Sequence, residues 1–237
     1  MATEFRITRS VELKDGSPLR RYMDLPKFVD LLRTKSLYLR RADCFTDRFE
    51  GALTHSIRMA IQFERESDIS TESADVFYER SRKGTFVSCW TFGAKDNMAL
   101  WQLFGGASNS VAICTNVDRL TRMCSFWKER VHIAKVRYID HFENPDMVVD
   151  CYTDLLEFKH EAFDFEREVR VMLPKQNDWR HNPEDFRLPI SDLNELVINV
   201  VVAPDAGPWF LELVQDLAQR YGLKAPVRMS QLSTLPT

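Results

Sequence analysis

The stretch Phe163–Leu173 reads Phe-Asp-Phe-Glu-Arg-Glu-Val-Arg-Val-Met-Leu and is closed by Pro174. Apolar residues recur at every second position, which is the period of a β-strand. On such a strand the side chains of Glu166, Glu168 and Arg170 share the opposite face. Next-but-one residues of a strand lie roughly 6.5 to 7 Å apart, so the two carboxylates raise each other's pKa unless a cation lies nearby. The stretch therefore predicts either a structural row of ion pairs on a solvated strand face or the floor of a binding site.

The length and composition of the chain set wide limits. Its 237 residues can bury one good core or two small ones, and because no shift in composition divides them, we expect a single domain over residues 1–237. A net charge of -3 excludes binding of nucleic acid through bulk charge, although a local basic patch would not show in this sum.

Cysteine usage and hydropathy indicate the compartment. The five cysteines are scattered, with no Cys-x-x-Cys pair, which favours free thiols in a reducing compartment and argues against zinc. The N-terminus has no apolar signal segment, and the most apolar run, residues 196–204, is far too short to span a bilayer. We therefore expect a cytoplasmic protein that makes no contact with a membrane.

Periodicity predicts an α+β fold with a mixed or split β-sheet and flanking helices. We expect seven to nine strands, a helix entered through Asp24 and Pro26, and a helix from Pro145 to about Phe163. Helices are also expected over residues 52–66 and 72–82. Near the C-terminus, residues 190–232 predict a strand-helix-strand unit of the kind that forms parallel strand pairs.

Three strand-borne motifs follow one another along the chain: the pair Arg21-Tyr22, the segment Ser88-Cys89-Trp90-Thr91 and the segment Glu166-Arg167-Glu168. In this order they resemble the pattern of ADP-ribosyltransferases, in which a basic or His residue, a hydroxyl residue and a Glu-x-Glu line the NAD cleft. The first position here is Arg rather than the His of one transferase class. The resemblance implies an ADP-ribosyltransferase-like split sheet that binds NAD as a substrate.

The resemblance also implies roles for individual residues. Glu168 would orient the ribose and stabilise its oxocarbenium-like transition state, and Glu166 would activate the acceptor. Arg21 would hold the pyrophosphate, which needs a cation or a donor. The residues assigned in this way to cofactor binding are Arg21, Tyr22, Arg41, Ser88, Trp90, Thr91, Trp101 and Arg170. Of these, Arg41 and Arg170 would fix the carboxylates.

Nearly the whole chain is also similar to a bacterial family catalogued only as a domain of unknown function, number twenty-nine seventy-one. The similarity is carried by residues 21–23, 37–43 and 88–90, and by Phe45, Asp47, Glu50, Gly51, Met98, Trp101, Lys159, Phe163, Glu166, Glu168, Val169 and Arg170. Members of that family often lie among mobile elements and defence genes. This resemblance by itself implies a bacterial protein but little about its activity. Together with the resemblance to ADP-ribosyltransferases, it implies a toxin or phage-defence effector that acts on a macromolecular acceptor, protein or nucleic acid.

Two alternatives stay open at this stage. Asp43, Asp47 and Glu50, with Glu166 and Glu168, form an all-oxygen set that suits Mg²⁺ in a nuclease, although we favour a site without metal. Alternatively the protein is a non-catalytic binding or interaction domain. In that case the three acids would cap a helix that begins near residue 52, the arginines would neutralise buried carboxylates, and Trp90 and Trp101 would belong to the core.

Overall fold

The computed structural model describes residues 7–47, 49–143 and 147–234. The β-strands are Ile7–Arg9 (β1), Pro18–Asp24 (β2), Ser36–Arg41 (β3), Thr85–Phe92 (β4), Ser110–Asn116 (β5), Val131–Lys135 (β6), Arg137–Ile139 (β7), Phe158–His160 (β8), Glu168–Pro174 (β9), Asp185–Pro189 (β10), Asn199–Val202 (β11) and Val227–Met229 (β12). The α-helices are Leu25–Thr34 (α1), His55–Glu66 (α2), Ala74–Lys83 (α3), Met98–Phe104 (α4), Val117–Ser125 (α5), Leu193–Leu196 (α6) and Pro208–Arg220 (α7).

Helices and a sheet with both parallel and antiparallel pairs confirm the predicted α+β class. The predicted number of strands is wrong, because the described residues contain twelve. Several strands, such as β7 and β8, have three residues, which is too short for a period of two to show in the sequence.

The chain divides into two compact units. The first comprises residues 1–10, 38–88 and 129–186, and the second comprises residues 11–37, 89–128 and 187–237. Strand β4 runs from the first unit into the second, with the change after Ser88. The expectation of a single domain stays a prediction.

The first unit is built around β6. This strand pairs in parallel with β1 and antiparallel with β9, with Ile133 opposite Val171. Strand β3 pairs antiparallel with the start of β4, and β7 pairs in parallel with β8. Helices α2 and α3 agree with the predicted segments to within three residues at each end. Every residue from Glu168 to Leu173 is buried, so β9 is a central strand without a solvated face.

The second unit is organised around β2 and β5, which pair antiparallel over seven residues from Pro18 opposite Asn116. Strand β5 also pairs antiparallel with β11. Helix α7 connects β11 to β12, and these two strands pair in parallel. Helix α1 begins as predicted: the Asp24 carboxylate accepts the Lys27 N–H at 2.9 Å, and Pro26 lies in the first turn.

The predicted strand over residues 163–173 is wrong in its first half. Residues Glu161–Glu166 form a 3-10 helix, and Arg167 then adopts the left-handed conformation with φ 46°, so that β9 begins only at Glu168. The Arg167 N–H donates to the Asp164 carbonyl at 3.0 Å, which ends the 3-10 turn. Phe165, one of the apolar residues of the predicted alternation, is 37% exposed.

The predicted helix from Pro145 to Phe163 is also wrong, and Pro145 itself lies outside the described residues. From residue 147 onward the chain has a 3-10 turn at Asp154–Glu157, then β8, then the 3-10 helix. The Asp154 carboxylate accepts the N–H groups of Asp150 and Cys151 at 2.8 and 2.9 Å. Such a local side-chain bond competes with helical hydrogen bonding.

Candidate active site

A cluster of five buried charges occupies the interior of the first unit, and we call it the ion cluster: Glu50, Lys159, Glu166, Glu168 and Arg170. Its deepest member is Arg170, which is fully buried. The Arg170 guanidinium binds both carboxylate oxygens of Glu50, with Nη2 to Oε2 at 2.9 Å. It also donates to Glu168 Oε2 at 2.8 Å and to the Leu156 carbonyl at 2.7 Å.

The shallow end of the ion cluster is formed by Lys159. Its ammonium lies 2.5 Å from Glu166 Oε2 and 3.7 Å from Glu168 Oε2, so one cation bridges the two carboxylates. The same ammonium lies 4.6 Å from the centre of the Phe163 ring. The side chains of Lys159 and Glu166 are each 9% exposed, which makes this end the part of the cluster nearest to solvent.

Local backbone geometry explains how these side chains meet. The left-handed Arg167 separates Glu166 from Glu168, so the two carboxylates reach one ammonium from a turn and a strand rather than from one strand face. Gly51, with φ 66°, occupies the left-handed region beside Glu50. A Cβ at Gly51 would lie 3.2 Å from Leu156 Cδ2, so the turn next to Glu50 has little room for a side chain.

A half-buried phenol supports the backbone of Glu168. The Glu168 N–H donates to the Tyr138 hydroxyl at 2.7 Å. Burial raises the pKa of Tyr138, so the group stays a neutral phenol at physiological pH. Glu168 is therefore held at its carboxylate by Arg170 and Lys159 and at its N–H by Tyr138, a degree of fixation that suits a preorganised electrostatic site.

The ion cluster holds three carboxylates and two cations, a formal net charge of -1 when all five are ionised. Burial raises the pKa of Glu166 and of Glu50, against the opposing effect of their cationic partners. For Lys159, burial acts to lower the pKa, but the charges of Glu168 and Glu166 outweigh it and the pKa is raised. The excess negative charge is therefore balanced by a proton or by a positive charge from outside the cluster.

The raised pKa of Glu166 predicts a pH-dependent contribution to stability. Above the ordinary carboxyl pKa of 4.5, the unfolded chain releases a proton that folded Glu166 still holds. Stability therefore falls as pH rises through this window. We expect Glu166→Gln, which cannot ionise, to lose less stability than wild type between about pH 5 and about pH 7. Urea unfolding at both pH values checks this, and parallel losses in the two proteins would contradict it.

Two other predicted binding residues of the first unit have different surroundings. Arg41 pairs with Asp43, with Nε to Oδ1 at 2.6 Å, and donates to the carbonyls of Asn182 and Pro183, so its partners lie outside the ion cluster. These contacts do not support the expectation that Arg41 fixes the catalytic carboxylates, and its assignment to cofactor binding stays a prediction. Ser88 is buried on β4, and its hydroxyl has no hydrogen-bond partner in the described part of the chain.

The remaining predicted binding residues lie in the second unit. The Tyr22 ring packs edge-on against Trp101 at 4.8 Å, and its hydroxyl accepts the Asn97 N–H at 3.3 Å. Trp101 is fully buried in a hydrophobic cluster, as the non-catalytic alternative expected. Arg21 lies over the buried Trp90 ring at 5.9 Å. Thr91 pairs with Arg20 across β4 and β2. The assignment of this set to cofactor binding stays a prediction.

The carboxylates of the magnesium hypothesis do not assemble into a metal site. Glu50 is bound by Arg170, Asp43 by Arg41, and Glu166 by Lys159. Within residues 7–47, 49–143 and 147–234, no three His, Cys, Asp or Glu side chains are placed to share a metal ion. The capping role is also wrong, because α2 begins at His55 with Thr54 as its N-cap.

The comparisons with known proteins give remote likenesses only. No family model matches the chain, so its resemblance to the domain of unknown function stays a prediction. No curated protein matches it either.

Solved structures of DarT from Thermus sp. 2.9 are similar to this chain. The complex with NAD+ has a TM-score of 0.45 at 9% identity, covering 94% of this chain and 100% of DarT. The complex with ADP-ribosylated ssDNA has a TM-score of 0.43 at 10% identity, covering 93% and 96%. The complex with carba-NAD+ has a TM-score of 0.42 at 9% identity, covering 92% and 97%.

The structure adds members to the site that sequence patterns missed. Glu50 was weighed only as a metal ligand or a cap, and Tyr138 was not considered. Sequence patterns give Lys159 no role in the site. For Lys159 no signal exists, because Glu157, His160 and Glu161 lie close to it in sequence, and a lysine among such residues is normally exposed. For Glu50 no periodicity exists, since it lies in an irregular turn.

Proposed function

We propose that this protein is an enzyme that cleaves NAD and transfers ADP-ribose to a macromolecule in the cytoplasm. The observation that carries the proposal is the buried, fixed Glu168, which Arg170 and Lys159 hold in a cluster whose described members are three carboxylates and two cations. A site of this charge stabilises a positive charge that develops beside it, because little water is present to screen the interaction.

Cleavage of NAD generates such a charge. As the bond between ribose C1′ and the nicotinamide nitrogen breaks, the electron pair leaves with neutral nicotinamide and the ribose becomes oxocarbenium-like. We assign Glu168 to stabilise this ribose. Burial raises the pKa of Glu166 toward the pH of the cell, which makes it a better base for the proton of the acceptor nucleophile. The acceptor then bonds to C1′, and Glu166 takes the proton.

A purely structural ion network is the principal alternative, and the composition of the cluster argues against it. A neutral set of buried charges costs less desolvation energy than a set with an excess carboxylate. Glu50 and Arg170 alone form a complete bidentate pair, so Glu166 and Glu168 are not needed to neutralise Arg170. The proposed reaction gives these two carboxylates a function, because Glu168 would stabilise the ribose and Glu166 would take the proton of the acceptor. The metal-dependent nuclease is not favoured by any arrangement of the described side chains.

The proposed transfer is tested by following the label of biotinylated NAD in bacterial lysate. We expect label in the macromolecular fraction with wild type and none with Glu168→Gln. Loss of the label after nuclease treatment would identify a nucleic-acid acceptor, and loss after protease treatment a protein acceptor. Label that never leaves NAD would contradict the proposal.

We also propose that the transfer makes the protein a toxin or phage-defence effector in bacteria. Support comes from the resemblance of the sequence to a family found among mobile elements and defence genes. Modification of a shared macromolecule would halt growth, so induced expression of the wild type in a bacterial host should arrest growth while Glu168→Gln does not. Normal growth at equal levels of the wild-type protein would contradict the role as a toxin or defence effector. The transfer reaction would still be tested independently by the lysate assay.

A further inference from the structure

Four aromatic rings meet in the first unit, and we call them the ring cluster: Phe49, His141, Phe142 and His160. The Phe49 ring lies 4.9 Å from His160 and 5.8 Å from His141, between ring centres. The two imidazoles are nearly parallel, with an angle of 8° at 5.9 Å. Phe142 meets Phe49 and His160 edge-on at 5.8 and 6.4 Å. The cluster therefore presents aromatic faces and edges at several orientations within one small region.

Two properties of the ring cluster are unusual for a hydrophobic core. The Phe142 side chain is 78% exposed, although it contacts two other rings. His141 is only 9% exposed, yet neither of its ring nitrogens has a hydrogen-bond partner among residues 7–47, 49–143 and 147–234. Buried polar groups of folded proteins nearly always have a partner. The exposed Phe142 ring offers a surface for stacking, and the His141 nitrogens beside it offer a hydrogen-bond donor and an acceptor. Binding sites for polar rings combine these two features.

The charges around His141 indicate what kind of ligand this is. The Asp47 and Asp140 carboxylates lie beside the ring cluster, since they accept the backbone N–H groups of Phe49 and Phe142, each at 2.8 Å. These carboxylates repel a phosphate placed directly on the rings, and they tolerate a neutral or cationic ring. The ring cluster is also joined in sequence to the ion cluster at two places, since Phe49 precedes Glu50 and His160 follows Lys159.

We propose that the ring cluster binds a planar nitrogen heterocycle, which stacks on Phe142 and His160 and completes the hydrogen bonds of His141. Base-aromatic stacking tolerates many heterocycles, because each has a π face. The inference rests on the proposed function, which offers two sources of such a ring: the dinucleotide itself or a base of a nucleic-acid acceptor. Both sources contain a planar nitrogen heterocycle, which is the group that the ring cluster would recognise.

The test is an NMR titration of histidine-labelled protein with nucleosides, which carry a ring but no phosphate. The probes are nicotinamide riboside, adenosine and thymidine. We expect at least one probe to shift the ring signals of His141 and His160, while the exposed His55 and His181 do not respond. A response to nicotinamide riboside but not to thymidine would identify the dinucleotide as the source, and a response to thymidine but not to nicotinamide riboside would identify a base of an acceptor. Adenosine occurs in both sources, so its response shows only that the ring cluster binds a heterocycle.

Two variants separate stacking from hydrogen bonding. Phe142→Ala removes the exposed ring, and His141→Phe keeps a ring but removes both nitrogens. Each should weaken binding of the probe by about 10-fold or more. Phe126→Ala removes another phenylalanine, 72% exposed in the second unit, and should leave affinity unchanged.

The inference is overturned if no probe shifts His141 or His160, or if Phe142→Ala binds the probe as tightly as wild type. Its failure is distinct from failure of the proposed function, because release of nicotinamide from NAD is measured separately and does not depend on these histidine signals.

Discussion

Glu168→Gln should lower the rate of NAD cleavage by about 100-fold or more, while the protein stays folded. The substitution keeps the size of the side chain and its hydrogen bonding to Arg170, but it removes the negative charge that we assign to the ribose. Losses of this size are typical when a transition-state charge partner is removed. The measurement is the steady-state rate of nicotinamide release at saturating NAD.

The matched control for this prediction is Glu161→Gln. Glu161 lies on the same 3-10 helix as Glu166 but is exposed, so its change should leave the rate within about twofold of wild type. Circular dichroism and the unfolding midpoint of Glu168→Gln show whether the fold is kept. Full turnover in a folded Glu168→Gln protein would show that the carboxylate has no part in the reaction.

Arg170→Met should lower the free energy of unfolding by about 3 to 5 kcal/mol. Arg170 is fully buried and binds both oxygens of Glu50. Its removal leaves the buried Glu50 and Glu168 without their shared cation, and a buried charge without a partner is costly. Folded domains are stable by only about 5 to 15 kcal/mol, so the loss is a large part of the total. Urea unfolding measures it.

Two further variants test the cause of this loss. In the double variant Glu50→Gln with Arg170→Met, both halves of the deepest pair are neutral, so stability should recover in part relative to Arg170→Met alone. Arg122→Met removes an exposed arginine that pairs with Asp118 on helix α5, and it should change stability by less than about 1 kcal/mol. Equal stability of Arg170→Met and wild type would show that the ion cluster does not depend on Arg170.

The α+β class and several helices could be predicted because their apolar residues recur at regular spacing. Helix α1 is the clearest case, since the Asp24 cap, Pro26 and the buried residues Phe28, Leu31 and Leu32 agree with one another. The 3-10 turns between residues 154 and 166 could not be predicted in this way. Their apolar residues imitate a helix, and the bonds of the Asp154 carboxylate that hold the turn depend on the folded backbone.

The sequence predicted which charged side chains of the candidate site lie together, but not all of the backbone elements that carry them. The sequence indicated that Glu166, Glu168 and Arg170 act together, and the structure places them in one ion cluster. The predicted shared strand face is confirmed for Glu168 and Arg170, which both lie on β9. It is wrong for Glu166, because the left-handed Arg167 separates the turn that carries Glu166 from β9. Glu50 is 120 positions away from Arg170 in sequence, and no local pattern indicates a pairing over such a distance.

The central claim is that the ion cluster serves the cleavage of NAD. It is tested most directly by incubating the purified wild-type protein with NAD and measuring free nicotinamide by chromatography, with and without lysate as a source of acceptor. We predict that nicotinamide is released by the wild type and falls to background with Glu168→Gln. No release under either condition, together with no stabilisation of the protein by NAD against thermal unfolding, would contradict the claim.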